Sequence, residues 1–169
     1  MNTGLEQLLH ILHAAGVKFV LIGGLAAIAH GAETVTGDVD ICYARGRDNL
    51  ERLVQALAPF HPRLRGVPPD LPFRLDVPTL RAGLNFTLTT DLADLDLLGE
   101  VLGLGGYDAV YTDSEEIEIS GLRYSVITLE GLIRAKRAAG RPKDLRALYE
   151  LEALRTLRQG NEKEENKEA

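Results

Sequence analysis

The sequence predicts a mixed α+β domain built around one small sheet. Helical and strand-like segments alternate early in the chain, strand-like segments then follow one another, and two helices close the chain. The 169 residues suffice for one domain with a core of its own, and 45% hydrophobic and 26% charged residues are ordinary for a globular protein. We therefore expect a single domain over 1–159 and a charged, disordered tail over 160–169.

The N-terminal half contains leucines at helical spacing and short apolar runs of strand length. Leu5, Leu8, Leu9 and Leu12 give the first helix one apolar face, and Gly16 ends it. The predicted elements of this half are, in order, helix 3–15, strand 18–22, helix 25–30, strand 38–43 and helix 48–57. The segment 59–72 is rich in proline and basic residues, which favours a loop.

The C-terminal half contains a hairpin signal and two helix signals. Ser120-Gly121 separates two apolar segments and predicts a tight turn. Thr128 is a typical N-cap, and Gly140 and Pro142 mark the end of one helix and the first turn of the next. The predicted elements are strands 84–89 and 95–98, a loop 99–106, hairpin strands 117–119 and 122–127, and helices 129–139 and 142–158.

Two aspartates share one face of the strand 38–43. Side chains alternate along a strand, so Asp38 and Asp40 point the same way while Val39 and Ile41 point into the core. Neighbouring carboxylates repel each other and strands disfavour Asp, so a divalent cation such as Mg²⁺ is the natural compensation. The alternative is an exposed sheet edge with two solvated aspartates. Cys42, on the same face by parity, is interpreted as a packing residue.

A third carboxylate lies in a leucine-rich strand. Asp96 is costly to bury unless it is paired or binds a metal, and it would complete a cluster with the aspartates of strand 38–43. Asp94, on the same face, and Asp76 are rival third ligands. The alternative role for Asp96 is an ion pair with an arginine.

A glycine pair joins the first predicted strand to the second helix. Gly23-Gly24 would let a phosphate approach the backbone at a helix start. The segment lacks the Gly-Lys-Ser/Thr ending of a Walker loop and the third glycine of the dinucleotide fingerprint. The alternative is an ordinary strand-to-helix turn. His30, near the end of that helix, is expected to make a structural hydrogen bond.

Together these segments resemble the DNA-polymerase-β nucleotidyltransferase superfamily, whose signature is Gly-Gly/Ser after a strand, Asp-x-Asp on the next strand and a later acidic residue. The chain looks more closely like small stand-alone bacterial nucleotidyltransferase-like proteins, some of them related to toxin components of toxin–antitoxin pairs. The matching segments, which cover about 5–155, are 23–27, 30–31, 36–40, 84–90, 95–100, Lys136 and 140–145. The resemblance implies the nucleotidyltransferase fold, with a small mixed or antiparallel sheet flanked by helices and two C-terminal helices.

The resemblance also implies a reaction, in which a nucleoside monophosphate moves from an NTP to an acceptor hydroxyl with Mg²⁺ as cofactor. Asp38 and Asp40 would hold the metal on the triphosphate, and Asp96 would help to hold a second metal or act as the base. The residues expected to contact the phosphates are Gly23, Gly24, Thr36, Lys136, Arg141 and Lys143.

The chain departs from its resembled relatives before the first aspartate. Relatives often carry basic residues there, whereas Thr34 and Gly37 occupy those positions in this sequence. The alternative function is therefore a non-catalytic binding partner in a toxin–antitoxin-like pair, with a small partner protein. The absence of these two basic residues weakens the expected hold on the triphosphate from that side.

The composition limits which partners the protein is expected to bind and which cellular compartment it is expected to occupy. A net charge of −6 argues against a general electrostatic grip on nucleic acid, although basic residues cluster around 134–146. Both tRNA and a small molecule stay open as acceptors. A single cysteine fits a reducing compartment, and no apolar run is long enough for a membrane span, so we expect a cytoplasmic protein. The oligomeric state is not predicted.

Overall fold

The computed structural model describes residues 3–168, which form one seven-stranded mixed sheet with helices packed against it. The helices are α1 Thr3–Ala14, α2 Gly23–Ala29, α3 Arg47–Leu57, α4 Val77–Ala82, α5 Tyr107–Thr112, α6 Leu129–Ala139 and α7 Pro142–Glu168. The strands are β1 Phe19–Ile22, β2 Asp38–Tyr43, β3 Arg63–Leu64, β4 Asn85–Thr89, β5 Asp94–Leu98, β6 Glu100–Val101, β7 Gly105–Gly106, β8 Ser114–Ile119 and β9 Leu122–Ile127. The predicted mixed α+β architecture is confirmed.

The strand order of the sheet is β3-β4-β5-β2-β1-β9-β8, while β6 and β7 form a separate ladder. β1 is apolar throughout and fully buried, as expected for a strand covered on both faces. It runs antiparallel to β2 and parallel to β9, and β2 runs parallel to β5. This central group places the start of β2 beside the start of β5, where the predicted acidic residues lie.

The side-chain alternation of β2 is as predicted. Val39 and Ile41 are fully buried in the core, whereas Asp38 and Asp40 are half-buried on the other face. Cys42 is also fully buried, which agrees with its interpretation as a packing residue. The strand therefore has an apolar back and an acidic front.

The predicted turn and cap residues are confirmed. Ser120 and Gly121 both have positive φ, as a two-residue type I′ hairpin turn between β8 and β9 requires. The Thr128 hydroxyl accepts a hydrogen bond of 3.1 Å from the Gly131 amide at the start of α6. Gly140 ends α6 in the left-handed conformation, and α7 begins at Pro142.

Several short elements were not predicted. The loop expected over 59–72 contains β3, which has only two residues and depends on pairing with β4, far away in sequence. The loop expected over 99–106 contains the β6–β7 ladder. α4 and α5 have six residues each, too few for a helical periodicity to be visible in the sequence.

α7 is longer than the predicted helix 142–158. It continues to Glu168, and the side chains of 160–166 are all exposed. Of its predicted apolar stripe, Leu148 and Leu151 are buried, but Leu145 and Leu157 are largely exposed. The disorder expected over 160–169 stays a prediction about the chain in solution. Among the described residues, no helix has the length and apolar character needed to cross a bilayer.

Candidate metal centre

Three carboxylates converge at the junction of β2 and β5. The two strands are parallel and in register, with Asp38 opposite Asp94 and Asp40 opposite Asp96. Opposed residues on neighbouring strands share a face, so all four side chains lie on the front of the sheet. One carboxylate oxygen each of Asp38, Asp40 and Asp96 lies within 4.8 Å of the others. The arrangement brings together the three residues that the sequence singled out.

The two rival ligands have other partners. The Asp94 carboxylate accepts a hydrogen bond of 2.8 Å from the Thr89 hydroxyl and is ion-paired with Arg65. Asp76 is the N-cap of α4, where its side chain accepts a 2.9 Å hydrogen bond from the Thr79 amide. Asp76 is therefore a structural residue.

The environment of the triad disfavours three negative charges. Burial, followed by the neighbouring charges of Asp38 and Asp96, raises the pKa of Asp40 to about 7. Burial also raises the pKa of Asp96, although the Arg65 guanidinium opposes this shift. A cation placed among the three carboxylates would relieve both penalties, because it favours the ionised form of each.

Asp96 belongs to the carboxylate cluster and also forms an ion pair with an arginine, the alternative role that the sequence left open. The Arg65 guanidinium donates from Nη2 to Asp96 Oδ1 at 2.5 Å, and its Nη1 lies 3.3 Å from Asp94 Oδ2. Arg65 was not among the predicted site residues, because it lies in the segment 59–72 that was predicted to be a loop.

The glycine pair makes room for the acidic strand. Gly23 has a φ of +66°, and a Cβ atom built on it would lie 2.1 Å from Asp40 Oδ2. A Cβ atom on Gly24 would lie 2.7 Å from the Thr36 side chain, and the Gly24 amide donates to Asp40. The Thr36 hydroxyl in turn donates to Asp38 Oδ1 at 2.9 Å. Gly23, Gly24 and Thr36, which were predicted to contact the phosphates, therefore pack directly against the acidic cluster.

Three cations face the triad from the C-terminal helices. Lys136 on α6 and Lys143 and Arg141 at the start of α7 line the same cavity as the aspartates. The charge of Lys136 acts to lower the pKa of Asp40, and that of Lys143 acts to lower the pKa of Asp96. The structure therefore brings these basic residues and the carboxylates to one site.

A buried carboxylate, Asp144, organises two of these cations. It lies 3.1 Å from Lys136 Nζ and 2.6 Å from Arg141 Nε, and its side chain is fully buried. Its pKa is lowered because hydrogen bonds from Arg141 and Lys136 outweigh the effect of burial. Asp144 lies in the matching segment 140–145, but no role was predicted for it. The signal was its spacing, since it shares the buried side of α7 with Leu148 and Leu151.

The site is a cavity of about 580 Å³, within the usual size range of small-molecule pockets. Its polar lining includes the triad, the three cations, Thr36 and Asn85, together with the further acids Glu100, Asp144 and Glu150. Its walls also include apolar side chains of several elements. The apolar lining residues include Leu98, Val101, Leu102, Leu104, Ala135 and Ala139.

His30 has the structural role that the sequence predicted. Its Nε2 lies 2.7 Å from the Ile127 carbonyl oxygen, which requires the ring to donate from Nε2. Its Nδ1 then accepts from the Arg158 guanidinium at 3.2 Å. The ring is buried and ties α2 to β9 and to α7.

No family model and no curated protein matches the sequence. Solved structures match it at low identity. The lincosamide antibiotic adenylyltransferase LnuA, in a lincomycin-bound crystal structure, is 14% identical, with a TM-score of 0.60 and coverage of 91% of this chain and 98% of that one. The solution structure of the antibiotic-resistance factor ANT(2'')-Ia is 15% identical, with a TM-score of 0.57 and coverage of 99% and 98%.

A third match is the putative nucleotidyltransferase TM1012 from Thermotoga maritima, which is 17% identical, with a TM-score of 0.54 and coverage of 94% and 91%. At these identities the likeness concerns the fold, and the chain has the nucleotidyltransferase fold that the sequence predicted. The toxin–antitoxin-related branch stays a prediction.

Proposed function

We propose that the chain is a metal-dependent nucleotidyltransferase, which moves a nucleoside monophosphate from an NTP to an acceptor hydroxyl. The observation that carries this proposal is the convergence of Asp38, Asp40 and Asp96, with oxygens within 4.8 Å of one another, opposite a group of cations in one cavity. The fold shared with nucleotidyltransferases supports it.

The donor set fits Mg²⁺. Mg²⁺ prefers oxygen ligands and commonly combines one or two carboxylates with substrate phosphates. The raised pKa of Asp40, caused by burial and by its two acidic neighbours, is the electrostatic penalty that a bound divalent cation would remove. When bound, Mg²⁺ neutralises charge on the triphosphate and lowers the pKa of an adjacent acceptor hydroxyl.

The cations opposite the triad would hold the triphosphate. Lys136 and Arg141 are anchored by Asp144, so their positions are set before a nucleotide arrives. Preset charges bind a phosphate chain with little loss of side-chain entropy. Lys143 would add a further charge at the exposed start of α7.

In the proposed reaction, the acceptor oxygen forms a bond to the α-phosphorus in line with the leaving group. The bond between the α-phosphorus and the bridging oxygen breaks, and pyrophosphate leaves with the electron pair. The ionised Asp96 carboxylate would accept the hydroxyl proton. The remaining residues act by position and charge, which dominate phosphoryl transfer.

A small hydroxylated molecule is the acceptor class that we favour over tRNA. The cavity has small-molecule dimensions, its walls are partly apolar, and the net charge of −6 does not attract a polyanion. LnuA and ANT(2'')-Ia, which share the fold, are described as acting in antibiotic modification or resistance.

The non-catalytic alternative rested on Thr34 and Gly37, which replace the basic residues of resembled relatives. Positive charge from α6 and α7 in the same cavity argues that the triphosphate can be held without them. A small partner protein, as in a toxin–antitoxin pair, stays a prediction from the resemblance.

Calorimetry with each NTP and Mg²⁺ tests the proposal. We expect binding in the micromolar range that requires Mg²⁺, and a loss of at least about tenfold in Asp38→Asn, because one charged ligand is removed. Asp91→Asn, which removes the same charge from an exposed position outside the cavity, is the matched control and should bind normally. Absence of Mg²⁺-dependent binding to every NTP would contradict the proposal.

Transfer and acceptor class are tested with NTPs labelled at the α-phosphate. We expect label in small hydroxylated compounds from a cell extract and none in the RNA fraction. Label in RNA would keep the transferase and overturn the acceptor class. No label in any fraction, together with normal NTP binding, would favour the non-catalytic alternative.

A further inference from the structure

Arg65 reaches the acidic cluster from the edge of the sheet. Its backbone amide donates to the Thr87 carbonyl oxygen at 2.9 Å, which fixes its main chain beside β4. From there the guanidinium extends across β4 to β5, where it contacts both Asp94 and Asp96. The side chain is only 29% exposed, so water screens these ion pairs less than it screens a surface pair.

The two ion pairs of Arg65 are unequal, and Nη1 also donates to the Leu88 carbonyl oxygen at 3.5 Å. Nη2 lies 2.5 Å from Asp96 Oδ1, while Nη1 lies 3.3 Å from Asp94 Oδ2. The closer partner, Asp96, is a member of the triad. One of its two carboxylate oxygens is therefore already bound by the Arg65 guanidinium. A divalent cation that needs full use of the Asp96 carboxylate competes with this guanidinium.

Asp94 offers the guanidinium a second position. It lies opposite Asp38 in the register, outside the set of three converging oxygens, and the Thr89 hydroxyl holds it at 2.8 Å. Because Asp94 is fixed and already in contact, Arg65 can leave Asp96 without losing its ion pair. Only the end of a flexible side chain has to move.

We propose that Arg65 is a positioning residue that serves as the internal counterion of Asp96 and shifts wholly onto Asp94 when a divalent cation is bound. This inference rests on the proposed function, since it concerns the same carboxylates. It gives Asp94 a role as the anion that receives the displaced guanidinium. It also explains how three close carboxylates are tolerated before a metal arrives.

The test is a double-mutant cycle on Mn²⁺ affinity, measured by electron paramagnetic resonance with a non-hydrolysable ATP analogue present. The relevant Mn²⁺ is the one lost in Asp96→Asn. Arg65→Gln should raise its affinity about tenfold, since a charge-assisted hydrogen bond no longer has to be broken. Asp94→Asn should lower it about tenfold, because the guanidinium then has Asp96 as its main anion.

The double variant separates the proposed shift from a simple electrostatic field. If Arg65 transfers to Asp94, loss of Asp94 has little effect once Arg65 is gone, and the double variant should behave like Arg65→Gln. If each charge acts independently, the two effects add, and the proposal is overturned. Unchanged affinity in either single variant overturns it too.

Two further measurements keep the outcome clear. Asp91→Asn, which removes a carboxylate at the same sheet edge that pairs with His61 and Arg63, should change Mn²⁺ affinity less than about twofold. Arg65→Lys, offered in case Arg65→Gln does not fold, should raise the affinity severalfold, because one ammonium cannot hold both carboxylates. If neither Mn²⁺ nor nucleotide binds to wild type, the proposed function and the shift of Arg65 are both overturned, whereas normal Mn²⁺ binding with additive effects overturns the shift alone.

Discussion

The Asp40 carboxyl group combines a raised pKa with a contact to the glycine turn. Burial and two neighbouring carboxylates raise its pKa to about 7, against an ordinary value of 3.8. The folded chain thus binds this proton more tightly than the unfolded chain does. Without metal, the native state therefore loses stability as pH rises from about 4 through about 7.

Asp40→Asn should remove this dependence. Without metal and at pH 8, we expect the variant to be more stable than wild type by about 2 kcal/mol, since it buries no charge. Urea unfolding at pH 5 and pH 8 with a chelator measures the difference. Asp70→Asn, at an exposed loop position, should keep the wild-type slope. A variant with an unchanged slope would show that Asp40 titrates normally.

Gly23 carries two constraints that a matched pair of substitutions can separate. Gly23 and Gly16 have almost the same positive φ, +66° and +68°, but only at Gly23 does an added Cβ meet another atom, Asp40 Oδ2 at 2.1 Å. Gly16→Ala should cost about 1–2 kcal/mol from backbone strain alone. Gly23→Ala should cost more and weaken Mg²⁺ binding.

The measurement is the free energy of unfolding of both variants, together with Mg²⁺ titration. Equal losses of stability, with metal affinity unchanged in Gly23→Ala, would mean that Asp40 moves aside freely. The glycine would then be needed for the turn alone.

At the scale of elements, sequence patterns were reliable where the signal is local. The alternation of Asp38, Val39, Asp40 and Ile41 predicted both faces of β2, and Ser120-Gly121 predicted the hairpin turn. The pairing of β2 with β5 follows from no local pattern, because it joins segments more than fifty residues apart. The proximity of Asp96 to Asp40 was therefore expected from the cost of burying a lone carboxylate and from the family resemblance, not from spacing.

Arg65 and Asp144 show why part of the site escaped prediction. Arg65 directly follows β3, a two-residue strand that forms by pairing with β4. A strand this short leaves no periodicity in the sequence. Asp144 was visible as a carboxylate on the apolar side of α7, yet its partner Lys136 lies on another helix. A sequence can indicate that a buried charge needs a partner, but tertiary packing selects which one.

The end of α7 offers a test of how far the domain extends. Arg158 contacts the buried His30, whereas the side chains of 160–166 are all exposed. A chain ending at residue 159 should therefore keep the wild-type stability within about 0.5 kcal/mol. Thermal unfolding of the two chains measures this, with Arg158→Ala as the comparison.

Arg158→Ala in the full chain should be destabilised by about 1 kcal/mol or more, because buried acceptors on His30 lose their donor. A large loss on truncation at 159 would mean that the charged tail packs in solution, contrary to the predicted disorder. Together, the truncated chain and the Arg158→Ala variant test whether the cooperatively folded unit ends just after Arg158.

At the scale of the whole molecule, the cavity lies between an acidic wall and a basic wall, and different parts of the chain supply the two. β2 and β5 contribute the three carboxylates of the triad, and α6, α7 and Arg141 between them contribute the cations. A Mg²⁺–NTP complex carries charges that match both walls. Its binding should couple the sheet to the C-terminal helices.

Hydrogen exchange should detect this coupling. With Mg²⁺ and a non-hydrolysable NTP, amides of α6 and of the first turns of α7 should exchange at least about tenfold more slowly, because a ligand bound to the native state alone suppresses opening. Asp144→Ala, which frees Lys136 and Arg141 from their anchor, should reduce that protection more than it reduces protection in β2. Protection confined to β2 and β5 would show that the nucleotide contacts the carboxylate wall only. The basic residues of α6 and α7 would then serve the apo fold, by offsetting the charge of the triad across the cavity.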